Sequence, residues 1–208
     1  KKLDSYTFGE DDKSDFKINY IIEKSNTLSL KFENKIIKSK IYGNYNFTNI
    51  SSAIAIGKYF GLNFNQIRKG ITSFLPVNNR SQIVVKGNNR ITLDAYNANP
   101  TSMKASISSF CDAKHKKSVV VLGDMLELGE YSPTSHEEII HQVMDTKVGE
   151  VLTVGNHFFE TKRESKRLKK FKTIFEAEKF LSEKSYFKTN FLIKGSRSIA
   201  LERLIELL

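Results

Sequence analysis

Ile91-Thr92-Leu93-Asp94-Ala95-Tyr96-Asn97-Ala98-Asn99-Pro100-Thr101-Ser102-Met103 is the stretch on which the fold turns. Its first three residues have the β-branched, apolar character of a strand, and the run beginning at Pro100 has that of a helix reaching Cys111. Between them stand an acid and a Tyr-Asn-Ala-Asn loop, with Pro100 where a first helical residue would tolerate it. In open α/β sheets ligands gather at the carboxyl ends of strands, and the N–H groups at helix starts attract anions. The segment therefore reads as a binding edge.

Outward from this edge the chain keeps alternating. Ile83-Val84-Val85 and Ile91-Thr92-Leu93 flank a Gly87-Asn88-Asn89 turn. Helix 100–112, strand Ser118 to Leu122, helix 133–144, strand Val151 to Val154 and helix 156–168 follow. A short Thr173-Ile174-Phe175 element, helix 176–184, strand Phe191-Leu192-Ile193 and a last helix over 198–207 complete it. Strands alternating with helices of this length predict βαβ units and a mostly parallel sheet, a Rossmann-like α/β domain.

The first part of the chain has a different rhythm. From Ser5 to Tyr42 it is strand-like: Leu28, Leu30 and Phe32 alternate with Ser29 and Lys31, and Asn34-Lys35 turns into Ile36 to Tyr42. A helix carrying Ile50, Ala53 and Ile54 follows, with Gly61 at its C-cap, and a second begins near Asn65. Pro76-Val77-Asn78-Asn79 is the linker candidate. Ser5-Tyr6-Thr7-Phe8 resembles one strand of a sheet whose other members are missing, which predicts a fragment of a longer protein.

Composition narrows the class. With 39% hydrophobic and 27% charged residues the chain reads as soluble and globular, and 208 residues suffice for a real core. No apolar run approaches the roughly 20 residues of a membrane span, and the amino-terminal Lys1-Lys2-Leu3-Asp4-Ser5 lacks a signal-peptide core. A single cysteine, Cys111, excludes an intramolecular disulfide and a Cys-clustered zinc site. A cytoplasmic protein with no membrane insertion is the expectation. The net charge of +10 is densest at Lys162, Arg163, Lys166, Arg167, Lys169, Lys170 and Lys172. With only Leu168 and Phe171 as apolar anchors this reads as a solvated helix face or loop, and no nucleic-acid partner is expected.

Four strand-to-helix edges carry polar side chains. At the first, Asp94 can accept from a ribose, while Asn97 and Asn99 both donate and accept, although Asn99 also suits a helix cap. At the second, Gly123-Asp124-Met125 places an acid after a buried strand; a plain loop feeding a helix capped by Ser135 and Glu138 reads equally well. The third, Lys194-Gly195-Ser196-Arg197, puts two cations on a turn: an anion site or a basic surface turn. The fourth, Gly43-Asn44-Tyr45-Asn46-Phe47-Thr48-Asn49, offers amides that match an adenine edge or cap a helix. His136 and His141 are five apart, off one helical face, and read as surface or packing residues rather than metal ligands. No Walker-type phosphate loop occurs in these residues.

Taken together and in order, Tyr96-Asn97-Ala98-Asn99-Pro100, Gly123-Asp124-Met125 with Glu127-Leu128-Gly129, and Lys194-Gly195-Ser196-Arg197 resemble the Mur ligases, builders of the peptidoglycan stem peptide. The segments are nearest to the branch of that family that uses D-alanyl-D-alanine. The Asn46-x-x-Asn49 pair and the spacing from Arg80 to Asp94 fit the wider family. The resemblance implies a C-terminal Rossmann-like domain over residues 78–208, preceded over 1–77 by the later part of a P-loop-type central ATPase domain. It further implies a monomeric ligase using ATP and Mg2+, which activates UDP-N-acetylmuramoyl-tripeptide as an acyl phosphate that D-Ala-D-Ala then attacks.

On this resemblance Asn46 and Asn49 would sit at the adenine, and Arg80 and Asp94 at the ribose or phosphates. Lys194 and Arg197 would lie near the incoming dipeptide, and Asn97, Asn99 and Asp124 would line the same site. No catalytic residue and no metal ligand is assigned to these residues. Tyr45 stands where many relatives have histidine. The family's phosphate-binding loop, upstream magnesium ligands and modified lysine have no counterpart here, so a fragment inactive by itself is expected. A folylpolyglutamate-type ligase and a non-catalytic nucleotide- or peptide-binding module are the alternatives.

Overall fold

The computed structural model describes residues 5–21 and 27–208. Lys1–Asp4 of the amino-terminal stretch, and residues 22–26 within the strand-patterned region, lie outside the described residues. The chain divides into two compact units, Lys1–Pro76 and Val77–Leu208.

The first unit holds a four-stranded sheet in the order β1 (Phe8–Gly9), β2 (Phe16–Ile21), β3 (Thr27–Phe32), β4 (Lys35–Tyr42). β2, β3 and β4 are antiparallel, and β1 runs parallel to β2. The hairpin turn falls on Glu33-Asn34, one residue earlier than the pattern predicts; both have positive φ, 47° and 60°, which suits the twist of a two-residue connection. Of the predicted strand Ser5–Phe8 only Phe8 lies within β1; Thr7 stands just before it, its carbonyl accepting from Phe16 N–H (3.0 Å) and its amide and hydroxyl donating to the carboxylate of Asp15 (2.7 and 2.8 Å). Helices α1 (Phe47–Tyr59) and α2 (Phe64–Ser73) follow. Gly61, at φ +80°, ends the first, and Asn63 with Gln66 forms a reciprocal cap on the second. Ile18, Leu30, Ile37, Ile54 and Ile67 fill the core between sheet and helices.

The second unit is a six-stranded sheet in the order β5-β6-β10-β7-β8-β9. Its strands are β5 (Gln82–Lys86), β6 (Asn89–Asp94), β7 (Ser118–Gly123), β8 (Glu150–Val154), β9 (Leu168–Phe171) and β10 (Asn190–Lys194). Only β5 is antiparallel, joined to β6 through a turn at Gly87. The other pairings are parallel, as the alternation of strands and helices predicts. Successive side chains point to opposite faces. Val120, Leu122 and Leu192 pack under α3 (Pro100–Asp112) and α4 (Ser132–Met144), while Val119, Val121, Phe191 and Ile193 meet α6 (Ile174–Ser182) and the carboxyl-terminal turns. With helices on both faces, the carboxyl ends of β6, β10, β7 and β8 lie along one edge of the sheet.

Four predicted features differ. In place of a helix over 156–168 there is a single turn, α5 (Asn156–Phe159), a loop, and the edge strand β9. Two of the basic residues there serve the fold: Arg167 donates to the carbonyls of Thr146 and Val148 (both 2.8 Å), and Lys170 to that of Thr161 (2.8 Å). Thr173 belongs to no strand; it caps α6 together with Glu176. The last helix over 198–207 is two 3₁₀ segments, Arg197–Ile199 and Leu201–Leu207, parted by Ala200 at φ +58°. The side chains of Ser135 and Glu138 do not cap α4, which starts at Ser132 after a 3₁₀ turn over Gly129–Tyr131. Among the described residues no helix is long and apolar enough to cross a membrane.

Candidate functional site

Asp94 closes β6 and stands opposite Lys194, the last residue of the neighbouring β10, in the strand register. Their side chains meet at 2.6 Å (Nζ to Oδ2). Asp94 Oδ1 accepts from the Ser81 amide (3.1 Å), and Oδ2 also accepts from the Ser106 hydroxyl of α3 (3.4 Å). Lys194 additionally donates to the carbonyl of Asn97 (3.5 Å). The lysine is 1% exposed, so this is a buried ion pair whose charges are matched by one another and by neighbouring dipoles.

The loop after Asp94 is pinned by its alanines. Ala95 and Ala98 are buried, which turns Tyr96 (41% exposed) and Asn97 outward. The guanidinium of Arg80 lies 3.7 Å from the centre of the Tyr96 ring, a cation–π stack that sets the cation's plane. Asn97 folds its Oδ1 back onto the Ala98 amide (2.9 Å). Asn99 caps α3, accepting from the Ser102 amide at 2.8 Å while Ser102 Oγ accepts from Asn99 N–H, and Pro100 opens the helix. Such a cap is worth about 1 kcal/mol.

The turns after β7 and β10 are stitched together. Asp124 N–H donates to the Val154 carbonyl (3.0 Å), and the Asp124 carbonyl accepts from Ser196 N–H (3.1 Å). Leu126 N–H donates to Ser196 Oγ (3.1 Å). The backbones approach because Gly123 and Gly195 face one another: a Cβ on Gly195 would sit 2.8 Å from the Gly123 Cα. Asp124 does not point outward. It is 3% exposed, and its two oxygens accept from the amides of Phe158 (2.9 Å) and His157 (3.0 Å) at the start of α5.

His136, 0% exposed, supports the same turn from beneath. Its Nε2 accepts from Met125 N–H (3.0 Å), so Nδ1 carries the proton it donates to the Ser132 carbonyl (2.7 Å). Burial pushes this imidazole below its usual range and His157 adds to the effect; the Ser132 carbonyl and Asp124 oppose it. The expectation of a packing role holds for His136, whereas His141 is exposed on α4. Arg197, one residue past Ser196, is exposed.

In the first unit Asn46 is buried and donates to the Tyr42 carbonyl (2.8 Å). Its Oδ1 accepts from Nδ2 of the exposed Asn49 (2.9 Å). Among the described residues no three His, Cys, Asp or Glu side chains converge on a metal position.

The structure thus brings Asp94, Lys194 and Asn97 into one hydrogen-bonded group and Asp124 into a second, with Arg197 beside it. Ser81, Ser106, His136, Gly155 and Ser196 also hold the edge together. Sequence reading does not assign them this role: Ser81 and Ser106 lie outside the four edges, Ser196 reads only as part of a cationic turn, and Ser196's partner Leu126 is 70 positions away.

A mostly parallel, doubly wound sheet with polar groups at the carboxyl ends of its strands defines an α/β domain of the Rossmann-like class. Residues 79–189 match the family described as Mur ligase, glutamate ligase domain, and the chain belongs to that family. It is 33% identical over 178 residues to UDP-N-acetylmuramoyl-tripeptide–D-alanyl-D-alanine ligase of Bacillus subtilis (strain 168), covering 80% of this chain and 38% of that one. The enzyme of the same name from Treponema pallidum (strain Nichols) is 30% identical over 183 residues, 85% of this chain and 40% of the relative. The crystal structure of MurF from Acinetobacter baumannii superposes with a TM-score of 0.82 at 25% identity, over 97% of this chain and 46% of that one. The chain spans less than half the length of each of these relatives.

Proposed function

We propose that this chain is part of an ATP-dependent amide ligase that adds D-alanyl-D-alanine to UDP-N-acetylmuramoyl-tripeptide in the cytoplasm, acting as a monomer. The observation that carries the reading is the stitched edge of the six-stranded sheet, where exposed Arg197 and Asn97 stand on turns locked from below, in a chain similar to ligases of that name.

In this reaction an oxygen of the tripeptide's terminal carboxylate attacks the γ-phosphorus of ATP, and ADP leaves with the bond's electron pair. The dipeptide amine then attacks the acyl carbon and loses a proton, and phosphate departs as the amide forms. The residues described here bind and orient rather than transfer protons. Arg197 would pair with the dipeptide carboxylate, for which a guanidinium on an exposed turn offers two parallel donors. Asn49, held by Asn46, would present its amide to the adenine edge. Arg80, stacked on Tyr96, would face ribose or phosphate with Asp94 behind it. Asn97 and Asn99 would border the dipeptide, and Asp124 would act from within by fixing the turns. Magnesium would accompany ATP; the described side chains form no cluster for it, and no step here is routed through it. Nucleic acid is not among the proposed partners; within the basic stretch Arg167 and Lys170 donate to backbone carbonyls.

The test is phosphate release by the full-length gene product with ATP, magnesium and UDP-N-acetylmuramoyl-tripeptide, with and without D-Ala-D-Ala. Release that requires the dipeptide supports the reading; release indifferent to it moves the activity to a sibling ligase.

A further inference from the structure

Two cations flank the turn after β10, yet they live in different surroundings. Arg197 is exposed, whereas the Lys194 ammonium is sealed off at 1% exposure with Asp94 Oδ2 at 2.6 Å and the Asn97 carbonyl at 3.5 Å. Resting on the ligase reading, we infer that Lys194 is a positioning residue: it clamps Asp94, and through Asp94 the Ala95–Asn99 loop, and never holds a ligand's carboxylate itself.

The register makes this clamp compulsory. Lys194 and Asp94 are direct partners on adjacent parallel strands, so the backbone already holds their side chains side by side. The carboxylate's other partners come from two further segments, the Ser81 amide before β5 and the Ser106 hydroxyl on α3. Lys194 adds the link to the loop itself through the Asn97 carbonyl. With Ala95 and Ala98 buried on either side, that link ties the loop that presents Tyr96 and Asn97 to the Asp94 pair. Without the ammonium, Asp94 becomes a largely buried charge with no counter-ion, and such a group turns toward water and carries its neighbours with it. The loop, rather than a lost ligand contact, then transmits the damage.

This account and a direct ligand role diverge in a double-mutant cycle. Lys194→Met is made in the full-length ligase and in the same protein carrying Asp94→Asn, which keeps an acceptor for the Ser81 amide but carries no charge. In the parent background Lys194→Met should raise the KM for D-Ala-D-Ala at least tenfold and speed amide hydrogen exchange within residues 95–99, with other segments of the sheet little changed. In the Asp94→Asn background the same substitution should move both by less than twofold. An equal rise in dipeptide KM in the two backgrounds overturns the inference in favour of direct binding. So does unchanged exchange over 95–99 in the parent background. If Lys194→Met alone does not fold, recovery of a folded protein on adding Asp94→Asn is the coupling expected, and failure of the double variant overturns it. A parent protein without dipeptide-dependent phosphate release removes the ligase reading but not the clamp, which the exchange arm then decides.

Discussion

Gly155 and Asp124 occupy each other's space: a Cβ on residue 155 would stand 2.2 Å from the Cγ of Asp124. Gly155 also adopts φ +126°, a conformation side chains other than glycine's rarely accept. The carboxylate that fills this gap holds the amides of His157 and Phe158, so three strand-end turns share one buried acid.

Gly155→Ala should therefore destabilise the second unit by about 3 kcal/mol or more, through overpacking and backbone strain together. Asp124→Asn should cost about 2 kcal/mol, since one acceptor becomes a donor aimed at an N–H. Chemical denaturation of the parent and the two variants checks both figures. An Asp124→Asn protein of parental stability with lost activity would instead place the carboxylate on a ligand.

Acid should loosen the same turns. His136 is neutral where burial holds its imidazole below the ordinary range, and burial together with nearby Arg90 does likewise for His115. Unfolded imidazoles regain a pKa near 6.5, so below that pH the unfolded chain takes up protons that the folded chain refuses. Stability is intact above about pH 6.5 and falls as the pH drops toward the depressed folded values. The thermal midpoint of His136→Gln should start lower at pH 7.5 and then fall less steeply than the parent's between pH 6.5 and 5. Parallel slopes would show that His136 is not a main contributor.

Arg197→Ala should raise the KM for D-Ala-D-Ala by about tenfold or more, the worth of a charge-assisted hydrogen bond of roughly 1.5–3 kcal/mol, with the ATP KM within twofold. Because the side chain is exposed, thermal stability should not change. Steady-state kinetics with each substrate varied in turn decides it. Equal effects on both substrates would remove Arg197 from the dipeptide site.

The parallel sheet was legible because its strands are short apolar runs, such as Val119-Val120-Val121-Leu122, separated by helix-length segments. β9 was not, because an edge strand needs only one buried side. In Leu168-Lys169-Lys170-Phe171 the lysines of such a strand mimic the solvated face of a helix. The break at Ala200 was equally hidden, since alanine is a strong helix former and only tertiary packing explains its left-handed conformation. Among the site residues, exposed Asn97 and Arg197 stand where the strand-end argument puts them. The inward turn of Asp94, Asp124 and Lys194 could not be read, because it depends on partners between 12 and 100 positions away.

β10 follows the other five strands of the sheet in the chain and yet occupies its middle, between β6 and β7. On the ribosome, the β5–β6 hairpin and the β7–β8–β9 group must wait as separate half-sheets, each with an unpaired inner edge, until residues 190–194 emerge. A message truncated shortly before that point yields no smaller version of the domain. It yields two pieces with open strand edges, suited to capture by a chaperone or to aggregation, because residues 190–194 are what joins them.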